Sequence, residues 1–361
     1  MTTLSARGLN RALLERQMLL RRGGLMVTTA LEHLVGMQAQ APQAPYVGLW
    51  SRLAGFSPGD LSDLIADRRA VRAVLMRATI HLVTAEDCRQ FWPLVGPVLE
   101  RNVYQNVTYG QHRLDGLDMA AVLVAGRRLV EERPRTAAQL REDLAVQWPE
   151  RDPAALAYAV RQLLPMVHVP PRGLWHGVGQ PMLTTVESWL GRGVAAEPSV
   201  DRVVLRYLAA FGPASVADVQ TWCGLTRLRE VVQRLPLRTY RDEAGRQLYD
   251  LPDGPLPDPD TPAPVRFLPE FDNILFSHAD RERILPDREY VRRAYNRGVF
   301  LVDGFVRGAW KLTRTKRLST LSIEPFAAVG TDAEPVEREA RELLDFVAGD
   351  SERRTVEFTS G

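Results

Sequence analysis

Three glutamines within six residues, Gln38, Gln40 and Gln43, form the most conspicuous group of reactive-type side chains in the sequence, set in Val35-Gly36-Met37-Gln38-Ala39-Gln40-Ala41-Pro42. A carboxamide both donates and accepts hydrogen bonds, so two of them two residues apart can converge on one water molecule or one ligand edge. On composition alone the run reads first as a solvated helix end running into a proline turn; the chemical alternative is a water-positioning pair. There is no phosphate-cradling glycine loop, no Gly-x-Ser-x-Gly elbow and no His-Glu-x-x-His motif. Cys88 and Cys223 stand far apart without a CxxC or Cys/His cluster. No metal, nucleotide or other cofactor is expected.

Other polar groups invite two readings each. Arg77, Thr79 and His81 alternate along a strand candidate, Leu75 to Val83, and alternation puts side chains on one face. That face is either a surface that meets a ligand or a strand's solvated side. Asp272, Asn273, His278 and Arg281 cluster after a proline-rich stretch, either as support for a catalytic pocket or as phosphate contacts, and Lys311, Arg314, Lys316 and Arg317 make a basic run beside a strand candidate. The basic run is either a clamp for a polyanion or a charged edge that deters aggregation, with the edge slightly favoured. His33, His112, His168 and His176 read as half-buried helix, loop or wing residues.

The elements that must position these groups repeat. A long amphipathic helix, a short break and a capped second helix recur three times. Leu9 to Leu20 precedes Thr29-x-x-Glu32, whose helix is expected to reach about Gln40; Leu117 to Val130 precedes Thr136-x-x-Gln139; Val203 to Phe211 precedes Ser215-x-x-Asp218. Helical patterns at Ala154 to Leu164 and Arg227 to Leu235 follow, then hairpin candidates, such as the runs flanking Asp242-Glu243-Ala244-Gly245. Three helices and a hairpin make a winged-helix plan. The expected fold is therefore α+β and mainly helical: three tandem winged-helix units at 1–110, 111–196 and 197–252. Residues 253–361 supply a proline-rich linker, a small β-rich region with Asp303-Gly304 as a hairpin turn, and a closing helix near Pro335 to Val347.

The chain has 361 residues, 45% hydrophobic and 25% charged, with a formal net charge of only +2, so whole-molecule charge does not announce a nucleic-acid binder. All basic residues except Lys311 and Lys316 are arginine. No run approaches the roughly 18 apolar residues of a membrane span, and Met1 leads straight into an Arg-rich helical pattern. A cytoplasmic protein without membrane contact is expected.

Four motifs in order resemble the winged-helix DNA glycosylase family of the AlkZ/YcaQ type across essentially the whole chain. They are Gln38-Ala39-Gln40 with Pro42; Arg77-Ala-Thr-Ile-His-Leu-Val83; Leu268-Pro-Glu-Phe-Asp-Asn273 with His278-x-x-Arg281; and Val302-Asp-Gly304 with Gly308-x-Trp310. The resemblance implies that Gln40 holds and polarises the attacking water, while Gln38 orients it or contacts the sugar. It implies excision of cationic N7-alkylguanine or N3-alkyladenine, and the Gln-apolar-Gln form resembles the branch that unhooks bulky or cross-linking adducts of genotoxic natural products such as azinomycin. Arg77, Thr79, His81, Asp272, Asn273, His278, Arg281, Lys311, Arg314, Lys316 and Arg317 would then face duplex DNA, in a site open to the helix, with the winged-helix units forming a curved DNA-binding channel in a monomeric, nucleoid-associated protein. With no lysine near the motif to form a Schiff base, a monofunctional enzyme is expected. The main rival is a winged-helix transcriptional regulator, but no heptad run offers the dimer that such proteins use. A second rival, a protein-binding scaffold, leaves the glutamines without a role.

Overall fold

The computed structural model describes residues 2–328 and 330–359 and is an α+β structure with three sheets. Helix Ala6–Arg16 begins where the Ser5 hydroxyl accepts from the Gly8 amide. It is the central staple of the molecule. From its apolar face Leu13 and Leu14 enter the main core with Tyr207, Phe211 and Leu301, and from its polar face three arginines reach distant segments. Arg16 makes a buried two-pronged pair with Asp250 (2.7 Å each), and Arg7 and Arg11 converge on Asp303. A buried pair adds little net stability over an apolar substitute, but removing one partner strands the other charge and is costly.

Helices Val27–His33, Ala44–Arg52 and Pro58–Ala66 follow. The expected helix to Gln40 stops early, and the Thr29 box does not cap it: Met26 is the N-cap and Thr29 lies inside the first turn. After Leu34, Val35 and Gly36 take positive φ (56° and 82°), which reverses the chain. A side chain on Gly36 would also come within 2.4 Å of the Val83 side chain. Only glycine fits that combination. The chain therefore re-emerges extended, and Met37–Gln38 is a short strand rather than a helix end.

That strand is the edge of a six-stranded sheet in the order Met37–Gln38, Ile80–Thr84, Ala70–Val74, Met166–Val169, Met182–Thr185, Arg135–Thr136. Arg72 pairs with His168, so the sheet runs across the 110/111 boundary drawn from the sequence. Beneath its far end lie helices Met119–Glu132, Ala137–Gln147 and Pro153–Leu163, packed through Val130, Leu140, Leu144, Leu156 and Val160. The 21-residue helix Ala85–Gln105, which carries Pro93 and Pro97, was not among the expected elements.

Helices Val200–Phe211, Val216–Cys223 and Arg229–Arg234 precede the hairpin Arg238–Asp242/Gln247–Asp250, which turns at Gly245 (φ 80°). Strand Thr3–Leu4 adds to this hairpin in parallel. After a stretch without helix or strand, Arg266–Leu268, Gly298–Val302, Phe305–Arg314, Leu318–Pro325 and Arg353–Phe358 form a five-stranded sheet covered by helix Ala333–Ala348. Asp303 and Gly304 both have positive φ (49° and 82°), as a two-residue turn with the twist of the flanking strands requires. Among the described residues, no helix is long and apolar enough to cross a membrane.

Candidate active site

Gln38, Ala39 and Gln40 run along the edge of the six-stranded sheet. Ala39 is fully buried; its amide donates to the Ile80 carbonyl (2.7 Å), and its carbonyl accepts from Arg72 Nη2 (2.8 Å). In an extended segment the residues on either side of a buried one share the opposite face. Both glutamine side chains turn toward the Met76–Ile80 loop: Gln38 Oε1 accepts from Arg77 Nη2 at 2.9 Å, and Gln40 Oε1 meets the Ile80 amide only loosely, at 3.4 Å. Gln38 is 8% exposed, whereas Gln40 is open to solvent.

The partners fix the first amide and leave the second free. A guanidinium only donates, so the atom of Gln38 facing Arg77 is the oxygen and its Nε2 points away. Arg77 also donates through Nη1 to the Trp222 carbonyl (2.6 Å), which locks the fork between two acceptors. Burial pushes its pKa down to about 10, so it stays charged at neutral pH. Arg77 itself has φ 55° in the three-residue turn Met76–Ala78, a strained conformation maintained by this fork.

Asn273 holds the strand from the other side. Its Nδ2 donates to the Gly36 carbonyl (2.7 Å) and its Oδ1 accepts from the Gln38 amide (3.1 Å), so one side chain does what a further strand would do. Next to it, Asp272 grips Arg52 with two buried bonds of 2.8 Å, and Arg52 reaches Gln17 Oε1 at 3.2 Å. Sequence reasoning missed Arg52, Gln17 and Arg72 as supports. The sole charged residue of a mostly apolar helix was the available signal for Arg52.

Several expected contacts are corrected. Leu75 to Val83 is not one strand: the positive-φ turn at Arg77 and Ala78 breaks it, so Arg77, Thr79 and His81 do not form an alternating surface. His81 pairs with Gln38 in the sheet but is fully buried; its Nδ1 donates to the Thr79 carbonyl (3.0 Å), and burial pushes its pKa down to about 3. Thr79 is half-buried and caps the turn by donating to the Met76 carbonyl. Asp272, Asn273 and His278 are buried too, and therefore brace the scaffold instead of meeting a polyanion. The His278 ring lies between Ser277 Oγ (2.8 Å) and the Phe211 carbonyl (3.2 Å), with its pKa lowered by burial to about 3. Arg281 is exposed, and its guanidinium lies 5.0 Å from the Phe276 ring, whose centre is 6.0 Å from that of Arg77. On the long hairpin, Arg314 is engaged by Asp350 (2.6 Å) and His176, while Lys311, Lys316 and Arg317 are exposed.

The structure aligns with that of the DNA glycosylase AlkZ from Streptomyces sahachiroi at a TM-score of 0.74 and 19% identity, over 99% of this chain and 100% of the other, a shared fold. A family model described as DNA glycosylase AlkZ-like matches residues 31–346. The chain belongs to the AlkZ-like DNA glycosylase family and is a DNA glycosylase, a hydrolase of DNA repair. No curated protein matches its sequence.

Proposed function

We propose that this enzyme is a monofunctional glycosylase that hydrolyses the N-glycosidic bond of cationic N7-alkylguanine or N3-alkyladenine in duplex DNA, with Gln38 and Gln40 placing the water. The observation that carries the reading is the asymmetry of the pair: one amide oriented by Arg77, the other free at the surface beside it. Gln38 Nε2, facing away from Arg77, donates to the water oxygen or a sugar oxygen, and Gln40 Oε1 accepts a water proton. An amide is too weak a base to remove that proton early. Alkylation at N7 or N3 removes the need, because the base already carries positive charge and leaves neutral with the electron pair of the C1′–N bond. Water adds to the resulting oxocarbenium carbon, its proton passes to solvent, and an abasic sugar remains. Positioning and preorganised dipoles supply the acceleration.

The three helical groups with their hairpins act as tandem winged-helix units, 1–110, 111–196 and 197–252, that cradle the duplex as a monomer. Arg281 beside the site and Lys316 and Arg317 at the hairpin tip contact phosphates. A motif on a sheet edge, not at the bottom of a pocket, suits adducts too bulky to extrude, and cross-links made by a genotoxic natural product are substrates of this kind. The test is product analysis on duplex DNA carrying 7-methylguanine: free base plus an intact abasic strand is expected, without borohydride trapping. A trapped enzyme–DNA adduct or immediate strand cleavage refutes the monofunctional assignment.

A further inference from the structure

Gln43, third in the glutamine run, takes no part in holding the water, yet both ends of its amide are engaged. Its Nε2 donates to the Leu174 carbonyl (3.0 Å) and its Oε1 accepts from the His176 amide (3.1 Å), so one side chain pairs with the Leu174–His176 backbone as a neighbouring strand would. Pro42 and Gln43 are the central residues of a tight turn, closed where the Ala41 carbonyl accepts from the Ala44 amide at 3.1 Å. Proline fixes φ at the first central position, and the Gln43 backbone (φ −92°, ψ −12°) has the values of the second position of a type I turn. Gln40 stands directly before that turn.

Gln40 needs support from its neighbours, because its own side chain makes only the loose 3.4 Å contact with the Ile80 amide. On its N-terminal side Ala39 is anchored through both backbone groups: the amide donates to the Ile80 carbonyl (2.7 Å) and the carbonyl accepts from Arg72 Nη2 (2.8 Å). On its C-terminal side the turn runs straight into helix Ala44–Arg52, and the Gln43 amide fastens the turn itself across to Leu174–His176. We propose that Gln43 is a positioning residue for Gln40: it fixes the turn that sets where the Gln40 amide lies, and so where the water is held. The inference rests on the water-placing role proposed for Gln40. A displacement of about 1 Å in a positioned group is enough to cost about a hundredfold in rate. The segment that Gln43 grips keeps its own place by other bonds, since the Tyr46 hydroxyl donates to the Gly173 carbonyl (2.9 Å) and Ser62 Oγ accepts from the Trp175 amide (3.1 Å). Losing the Gln43 amide therefore frees the turn and leaves that segment seated.

The test is single-turnover release of 7-methylguanine from duplex DNA by Gln43→Met, Gln43→Asn and Ser62→Ala, with the maximal rate and the half-saturating enzyme concentration read separately. Gln43→Met, of similar length but with no amide, should lower the maximal rate at least about tenfold and leave half-saturation unchanged. Gln43→Asn keeps the amide on a shorter stem that cannot span both backbone partners, so it should fall with the Met variant and not recover. Ser62→Ala loosens the same segment from its other side without touching the turn; its melting temperature should fall while its maximal rate holds. In a double-mutant cycle Gln43→Met should cost nothing more once Gln40 is Ala. An unchanged rate in Gln43→Met, a full rate in Gln43→Asn, an equal fall in Ser62→Ala, or full additivity with Gln40→Ala overturns the proposal. The two claims fail separately: a wild-type rate in Gln40→Ala removes the water-placing role, whereas a fall in Gln40→Ala without one in Gln43→Met removes only the positioning role.

Discussion

Replacing Arg77 by Met removes the donor that fixes Gln38 while keeping a long side chain in the turn. The Arg77–Gln38 contact is a charge-assisted hydrogen bond of 2.9 Å, worth about 1.5–3 kcal/mol. Without it the Gln38 amide can rotate, and the Nε2 that faces outward in the native enzyme spends time turned inward. If that energy is what keeps the donor aimed at the reacting centre, kcat falls about ten- to hundredfold. Arg77 directs both Nη atoms at protein acceptors, Gln38 Oε1 and the Trp222 carbonyl, so KM for DNA and the salt dependence of binding should hardly change. Arg77→Lys should rescue little, since one ammonium cannot span both acceptors. The assay is single-turnover base release from 7-methylguanine duplexes, with DNA affinity measured separately by anisotropy. In a double-mutant cycle, Arg77→Met should cost nothing more once Gln38 is Ala. A raised KM with unchanged kcat, or full additivity with Gln38→Ala, would show that Arg77 acts on DNA and not through Gln38.

Removing Lys316 and Arg317 together should weaken DNA binding and reduce the slope of log affinity against log salt by about 1.8, and an unchanged slope would remove the hairpin tip from the phosphate contacts. Asp272→Asn leaves Arg52 without its buried carboxylate and should lower stability by about 3–5 kcal/mol in denaturant titrations; a loss below 1 kcal/mol would mean that the pair does not brace the site. Acid should destabilise the protein through its buried histidines. His168 is pushed by burial from 6.5 to about 3, with Arg72 adding to the shift, so between those values the unfolded chain binds a proton that the folded chain refuses. Its stabilisation is complete above pH 6.5 and is lost as pH falls toward 3, and His168→Leu should show a shallower decline of denaturation midpoint across that window; parallel curves would contradict the assignment.

Local chemistry made much of the fold legible. The Thr136/Gln139 and Ser215/Asp218 boxes cap their helices reciprocally, and Asp303-Gly304 turns its hairpin, because those signals depend on residues within a few positions of one another. The site depended on longer reach. Gln38 is extended because it pairs with His81 and because Asn273, 235 residues away, satisfies its amide; neither partner is readable from the apolar spacing that suggested a helix. Helix Ala85–Gln105 escaped notice because Pro93 and Pro97 interrupt its pattern, although tertiary packing of Phe91, Val95 and Leu99 sustains it. For Asp272 and His278 the sequence left support of the pocket and phosphate contact both open, because polar residues usually lie at the surface, and only the buried partners Arg52 and Ser277 decide for support.

In the proposed mechanism the exposed amide of Gln40 holds the hydrolytic water. Single-turnover release of 7-methylguanine from duplex DNA, compared between the wild type and Gln40→Ala at saturating enzyme, tests it most directly. A rate about a hundredfold lower or more, with unchanged DNA affinity and melting temperature, is the predicted result. A wild-type rate in Gln40→Ala would contradict it.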